Sequence, residues 1–149
     1  MKKNIKYLVI VFIVGLFTLT GCNNKKTGLK DNFEEAKYQI EVAMQNLLEE
    51  TYGDKVVDAR IYVKKVYTRE EEQKNEFLKE KNLSENEVAF EVEYELKPAD
   101  NADLMELTAA TGKYDEETGW IVDKFNLGIL RPYNSEVKKY IITDFGTGW

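Results

Sequence analysis

Apolar positions recur along this chain with two different periods, and each change of period marks an element. In FEEAKYQIEVAMQNLLEETYG, residues 33 to 53, Phe33, Ala36, Ile40, Ala43, Met44, Leu47 and Leu48 recur at steps of three and four. That spacing predicts one helix with a single apolar stripe laid across a sheet. Asp31 and Glu34 have the spacing of a capping box at its start, and Gly53 fits its stop. In VAFEVEYELK, residues 88 to 97, the period is two: Val88, Phe90, Val92, Tyr94 and Leu96 on one face, Ala89, Glu91, Glu93, Glu95 and Lys97 on the other. This predicts a strand with one buried and one wet face. Carboxylates on alternate strand residues stand about 6.5 to 7 Å apart, too far for one cation, so the glutamates are expected to pair with Arg60 or Lys64 on a neighbouring strand.

The remaining segments follow from the same patterns. KVVDARIYVKKVYT, residues 55 to 68, is rich in β-branched and aromatic residues and predicts a strand. Thr68 and Glu71 offer a capping box for a charged helix to about Lys81, with Phe77 and Leu78 as its apolar anchors and Glu70 pairing with Lys74. LMELTAATGKY and GWIVDKFNLGILRPY flank DEET and predict a hairpin whose Gly119 takes the left-handed position; a last strand is expected from Val137 to Phe145. DEETGW and DFGTGW share Asp, Thr, Gly and Trp at identical offsets, which predicts reused turn chemistry. The order is α+β: a long N-terminal helix packed on a curved antiparallel sheet, with a second short charged helix.

The first 22 residues, MKKNIKYLVIVFIVGLFTLTGC, follow a different logic: three lysines, an apolar run from Leu8 to Phe17, then small residues before the only cysteine, Cys22. That is the layout of a secretory signal peptide. Its apolar run is about half of the ~20 residues that a spanning helix needs. The Leu19, Thr20, Gly21, Cys22 stretch resembles the lipobox of bacterial lipoproteins. The resemblance implies cleavage after residue 21, a diacylglyceryl group carrying palmitate-type chains on Cys22, and residence on the extracytoplasmic face of the cell membrane. Residues 1–21 are then the signal peptide, 22–32 the lipidated cysteine and a flexible tether, and 33–149 a single domain.

Composition narrows the chemistry. With one cysteine and no histidine, disulfides, thiolate zinc sites and imidazole-activated nucleophiles are excluded, and neither a metal nor a cofactor is expected. The net charge of −6 becomes −9 once the three lysines of the signal segment are removed. An acidic domain of this kind does not suit nucleic acid.

The WIVDKF stretch after a hairpin turn, in a small exported domain with an N-terminal helix, is similar to the late strands of NTF2-like and cystatin-like domains. The resemblance implies a cone-shaped fold around a pocket that family members use for binding or catalysis. The Asp and His pair of their catalytic members has no histidine here, so no catalytic residue is carried over. The expected function is a non-enzymatic, membrane-anchored binding or interaction module with an envelope ligand or protein as partner. The alternative is a carboxylate-based hydrolase of envelope polymers, which needs two acidic groups facing each other in one cleft. For the ligand, an aromatic concavity of Tyr94 and Trp120 with Arg131 at its rim is expected, because Tyr94 lies on the apolar face of the best strand and Trp120 and Arg131 open and close the strand after the hairpin.

Overall fold

The computed structural model describes residues 28–108, 112–134 and 139–147; residues 1–21, expected as a signal peptide, and Cys22 lie outside the described residues. The chain is already packed at Leu29, which is buried in the main core within a 3-10 turn, Leu29–Asp31. Leu29, expected to lie in the flexible tether of residues 22–32, is packed instead, because it is apolar and finds a place in the core. Lys30 follows it inward and pairs with the buried Glu72 at 2.5 Å, while also donating to the Leu83 carbonyl at 3.1 Å. One carboxylate oxygen of Glu72, Oε1, is buried without a hydrogen-bond partner.

Helix α1, Phe33–Tyr52, buries Ala36, Ile40, Ala43, Met44 and Leu48, the stripe that the spacing predicts. Two details differ. The cap is Asn32, whose side chain accepts from the Glu35 amide at 3.2 Å, one residue later than the expected box. Phe33 is 54% exposed, because in the first turn it precedes the buried stripe.

Five antiparallel strands form one sheet: β1 (Val56–Val66), β2 (Val88–Pro98), β3 (Lys113–Asp115), β4 (Trp120–Pro132) and β5 (Tyr140–Thr147). The order is β1-β2-β4-β3, and β5 also pairs with β4. Strand β4 is long enough to carry both partners on one edge: β3 pairs with Trp120 to Val122, and β5 with Asn126 to Pro132. Val88, Phe90, Val92, Tyr94 and Leu96 face α1 in the main core, with Ile121 and Leu130 from β4. At the hairpin, Gly119 has φ 73°, the Gly119 amide donates to the Asp115 carbonyl at 2.8 Å, and the Asp115 carboxylate accepts from the Glu117 and Thr118 amides.

The outer face of the sheet is divided. Glu93 pairs with Lys64 at 2.9 Å and Lys124 at 3.9 Å, and Glu95 with Arg60 at 3.3 Å, the expected cross-strand ladder. Glu91 instead accepts from the Tyr67 hydroxyl at 2.6 Å. That contact and burial raise the Tyr67 pKa, burial being the larger cause. Beside it the sheet is covered: Ala89, expected to be wet, is buried in a second small core with Tyr67 and Leu78.

The charged segment that builds this cover begins with the expected capping box at Thr68 and Glu71 and has the Glu70–Lys74 pair at 2.6 Å. It is two helices rather than one, α2 (Arg69–Lys74) and α3 (Glu76–Lys81). Asn75 breaks it: its backbone is extended, and its side chain accepts from the Leu78 amide at 3.1 Å, capping α3. A short amide side chain that bonds its own backbone competes with helix continuation, and the break lets Leu78 bury against Ala89. LMEL, expected as strand, is a helical turn, α4 (Leu104–Leu107). Asp103 caps it by accepting from the Met105 and Glu106 amides. Only Lys113–Asp115 of that segment pairs as strand. DFGTGW does not repeat the turn: its described residues, 144 to 147, belong to β5, and positive φ falls on Asp144 rather than on a glycine.

Candidate functional site

One concavity among the described residues lies where β3 has ended on the edge of β4 and β5 is finishing. Leu47, Leu48, Thr51 and Tyr52 at the end of α1 form one wall, Phe145, Gly146 and Thr147 of β5 another, and Tyr94, Asp123 and Asn126 the floor; the volume is about 390 Å³. That is within the range of small-molecule pockets, roughly 300 to 1,000 Å³.

A β-bulge makes the floor. Val92 pairs with Asn126 and Tyr94 with Asp123, so Lys124 and Phe125 together oppose Glu93. The extra residue reverses the alternation of β4. Without it Asp123 and Asn126, three apart, would face opposite sides; with it both face inward. Phe125 absorbs the irregularity at φ 62° with its side chain 82% exposed, a conformation that costs an L-residue about 1 to 2 kcal/mol.

Asp123 and Asn126 are buried, 4% and 2% exposed, among aliphatic and aromatic groups. The Tyr94 hydroxyl donates to Asp123 Oδ2 at 2.8 Å, and Asn126 Nδ2 donates to Asp123 Oδ1 at 3.0 Å. Burial first, and the Asp123 carboxylate next, raise the Tyr94 pKa, with the Tyr52 hydroxyl adding to the effect. Tyr94 is therefore a protonated donor throughout the physiological range. The Phe145 ring lies 6.3 Å from that of Tyr94, tilted by 36°, so the two make a corner rather than a flat stacking surface.

Of the three ligand residues expected from sequence, Tyr94 alone lines this hollow. Trp120 is adjacent to Ile121, which faces the main core, so Trp120 lies on the opposite face. There the Arg60 guanidinium covers its ring at 4.0 Å and Lys97 sits at 5.9 Å. Arg131, eleven residues farther along β4, also faces outward. It donates to Thr143 Oγ1 at 2.9 Å, pairs with Glu87 and approaches Asp144 at 3.7 Å. Lys81 pairs with the same Asp144 at 2.7 Å. The Tyr94, Trp120 and Arg131 concavity is thus not formed: alternation sends Trp120 outward, and Arg131 clamps the far end of the sheet.

Sequence reasoning missed Asp123, Asn126, Tyr52 and Phe145. A signal for the first two was present. Asp and Asn are depleted in strands, and both interrupt WIVDKFNLGIL at an odd spacing that no regular strand can place on one side. Among the described residues no group of three or more carboxylates or cysteines converges to hold a metal ion. No family model, curated protein or solved structure matches the chain.

Proposed function

We propose that the protein is a binding module held by acyl chains on Cys22 at the extracytoplasmic face of the cell membrane, and that it presents the Tyr94–Asp123–Asn126 hollow to a ligand in the envelope. The membrane half of this reading rests on the lysines, apolar run and LTGC of residues 1 to 22. Two acyl chains hold a soluble domain stably, at about 0.8 kcal/mol per buried methylene. The observation that carries the binding half is a buried polar trio at the floor of a hollow whose walls are mainly aliphatic and aromatic. Its place in the fold suits an anchored protein. The chain enters the core at Leu29, beside the start of α1, and the hollow is at the other end of that helix, roughly 20 to 30 Å away along its axis. Five residues lie between Cys22 and Gly28, six Cα steps with a reach of about 20 Å, so the anchor attaches near the start of α1, at the opposite end from the hollow.

The carboxylate hydrolase reading has less support, since it needs a facing pair of acids and the hollow's described lining contributes one, Asp123. The test of anchoring is fractionation of cells producing the wild type or Cys22→Ser. The variant is expected to leave the membrane pool while its domain stays folded. A processed Cys22→Ser protein that remains in the membrane would overturn the anchor.

A further inference from the structure

The edge of the sheet at β1 carries a sequence that is complementary to itself. Strand β2 pairs with one side of β1, and among the described residues no strand pairs with the other. Between bulges at Val57 and Lys64 the strand is regular and alternates. Asp58, Arg60 and Tyr62 lie on the outer face opposite Lys97, Glu95 and Glu93, and Ala59, Ile61 and Val63 face inward opposite Leu96, Tyr94 and Val92. Those three β2 residues are buried, but Ala59 is exposed and Ile61 and Val63 are only half-buried. The cause is a groove between β1 and α1, with Lys37 and Glu41 along one end and Gln45 and Glu49 along the other. Tyr38 and Val42, both exposed, share one stripe of the helix with Gln45 and Glu49 at steps of three and four. Apolar surface is thus left bare beside a row of backbone donors and acceptors that a further strand can join.

We propose that this edge binds a second copy of the chain, β1 pairing antiparallel with β1 about a two-fold axis at Ile61. Such an axis keeps every residue on its own face of the sheet. On the outer face it sets Asp58 against Lys64 of the partner subunit, and Arg60 against the partner's Tyr62, whose ring attracts a cation. On the inner face it sets Ala59 against the partner's Val63 and Ile61 against the partner's Ile61, which extends the apolar layer across the contact. Asp58 accepts from the Ala59 amide at 2.9 Å and forms no ion pair among the described residues; the second copy supplies one. Lys64 meets Glu93 at 2.9 Å with its side chain still largely exposed, so it can reach both carboxylates. Moving the axis to Arg60 or to Tyr62 places Arg60 against a second Arg60 or against Lys64, and like charges directly opposite are destabilising. An axis at Ala59 overlaps only Val56 to Tyr62. The contact is isologous and closes at two copies.

The chain from Asn23 onward contains every described element and no cysteine, and sedimentation equilibrium is expected to show it dimerising between about 1 μM and 1 mM. Asp58→Lys alone and Lys64→Glu alone should each weaken the dimer by about tenfold or more, since each turns two attractions into repulsions. An equimolar mixture of the two variants should regain wild-type affinity, because in the mixed pair both contacts again join opposite charges. Both positions are exposed, so neither swap threatens the fold. The register is read from single cysteines. Opposed strand residues have Cα atoms about 4.5 to 5.5 Å apart, within disulfide reach, so oxidation should link Ile61→Cys. Val57→Cys stands roughly 25 Å from its own copy in this register and should stay unlinked. A chain that is monomeric up to about 1 mM overturns the proposal and leaves the edge to a strand of another protein. A dimer that ignores both swaps, a mixture that fails to recover, or a Val57→Cys link as ready as that of Ile61→Cys places the contact elsewhere or in another register, and overturns it as well.

Discussion

Replacing Gly128 with alanine tests the packing of the sheet against its own core. Gly128 pairs with Phe90 across β2 and β4, and Phe90 is fully buried. A Cβ built at Gly128 would stand 2.7 Å from Phe90 Cζ, 3.1 Å from Cε1 of the same ring and 3.1 Å from Phe145 Cδ2. Carbon atoms rest at about 3.5 to 4.0 Å, so the Phe90 ring must give by nearly an ångström in a close-packed interior. Overpacking of this degree costs about 1 to 3 kcal/mol. Reduced freedom of the unfolded chain offsets about 0.4 to 1 kcal/mol of it. The expected net loss is about 1 to 2 kcal/mol in urea unfolding. Phe90→Leu removes the atom at 2.7 Å, so in that background Gly128→Ala should be close to neutral, with a coupling of about 1 to 2 kcal/mol in the double-mutant cycle. Gly146→Ala is the control, since nothing lies within 4 Å of its added Cβ. Equal losses from Gly128→Ala in both backgrounds, within about 0.5 kcal/mol, would refute the ring as the reason for the glycine.

Other variants test the two faces of the sheet and its ionisable contacts. Phe90→Ala is expected to cost about 3 to 5 kcal/mol and Glu93→Ala less than about 0.5 kcal/mol, because the Lys64 and Lys124 pairs are solvent-exposed; parallel urea titrations compare them. Tyr94→Phe should cost about 1 to 2 kcal/mol at neutral pH through Asp123. Since the folded pKa of Tyr94 is raised, its contribution is present below pH ~10 and fades as pH rises past the folded value, so the variant should flatten the alkaline limb of stability. Burial opposes ionisation of Glu87, but the Ser84 amide and Arg131 outweigh it and hold the carboxyl below its ordinary range; Lys81, chiefly, does the same for Asp144. Depressed carboxyls stabilise above about pH 4.3 and lose that as pH falls through their folded values, so Arg131→Gln should lower stability by about 1 kcal/mol at pH 7 and much less in strong acid, read from thermal unfolding against pH.

The elements legible in the sequence are those whose burial imposes a period. Helix α1 and strand β2 each press one face on the same core, so their apolar residues recur at 3.6 and 2, and the ladder of Glu93 and Glu95 with Lys64 and Arg60 follows from alternation alone. What could not be read depends on contacts between distant segments. Asn75 breaks the charged helix because Leu78 gains a place against Ala89, far along the chain. LMEL has strand-forming neighbours, but the Asp103 cap decides locally for a helical turn. Trp120 was legible in part. Its neighbour Ile121 is also apolar, and two adjacent strand residues cannot both face one core; the cations at positions 60 and 97 that cover the outward one lie on other strands.

The hollow depends on two irregularities that stand side by side, and the second connects it to Arg131. In β5, Leu127 pairs with Gly146 and Ile129 with Thr143, so Asp144 and Phe145 together oppose Gly128, as Lys124 and Phe125 together oppose Glu93 one strand interval away. Each bulge contains a non-glycine residue at positive φ, Phe125 at 62° and Asp144 at 51°, and such strain persists only where the surroundings over-determine it. At Asp144 the surroundings are identifiable: Lys81 at 2.7 Å and Arg131 at 3.7 Å hold its carboxylate from α3 and β4, and Thr143 Oγ1 donates to it at 3.2 Å. Phe145 is the next residue, and the bulge turns its ring against Tyr94. Arg131 thus acts on the hollow through the backbone: it fixes Asp144, Asp144 fixes the bulge, and the bulge sets the aromatic corner. Two sequence-adjacent residues of one strand serve different faces, a charged clamp outside and an aromatic wall inside, so the clamp's loss should be felt as a loosened Phe145 before it is felt as an unfolded sheet.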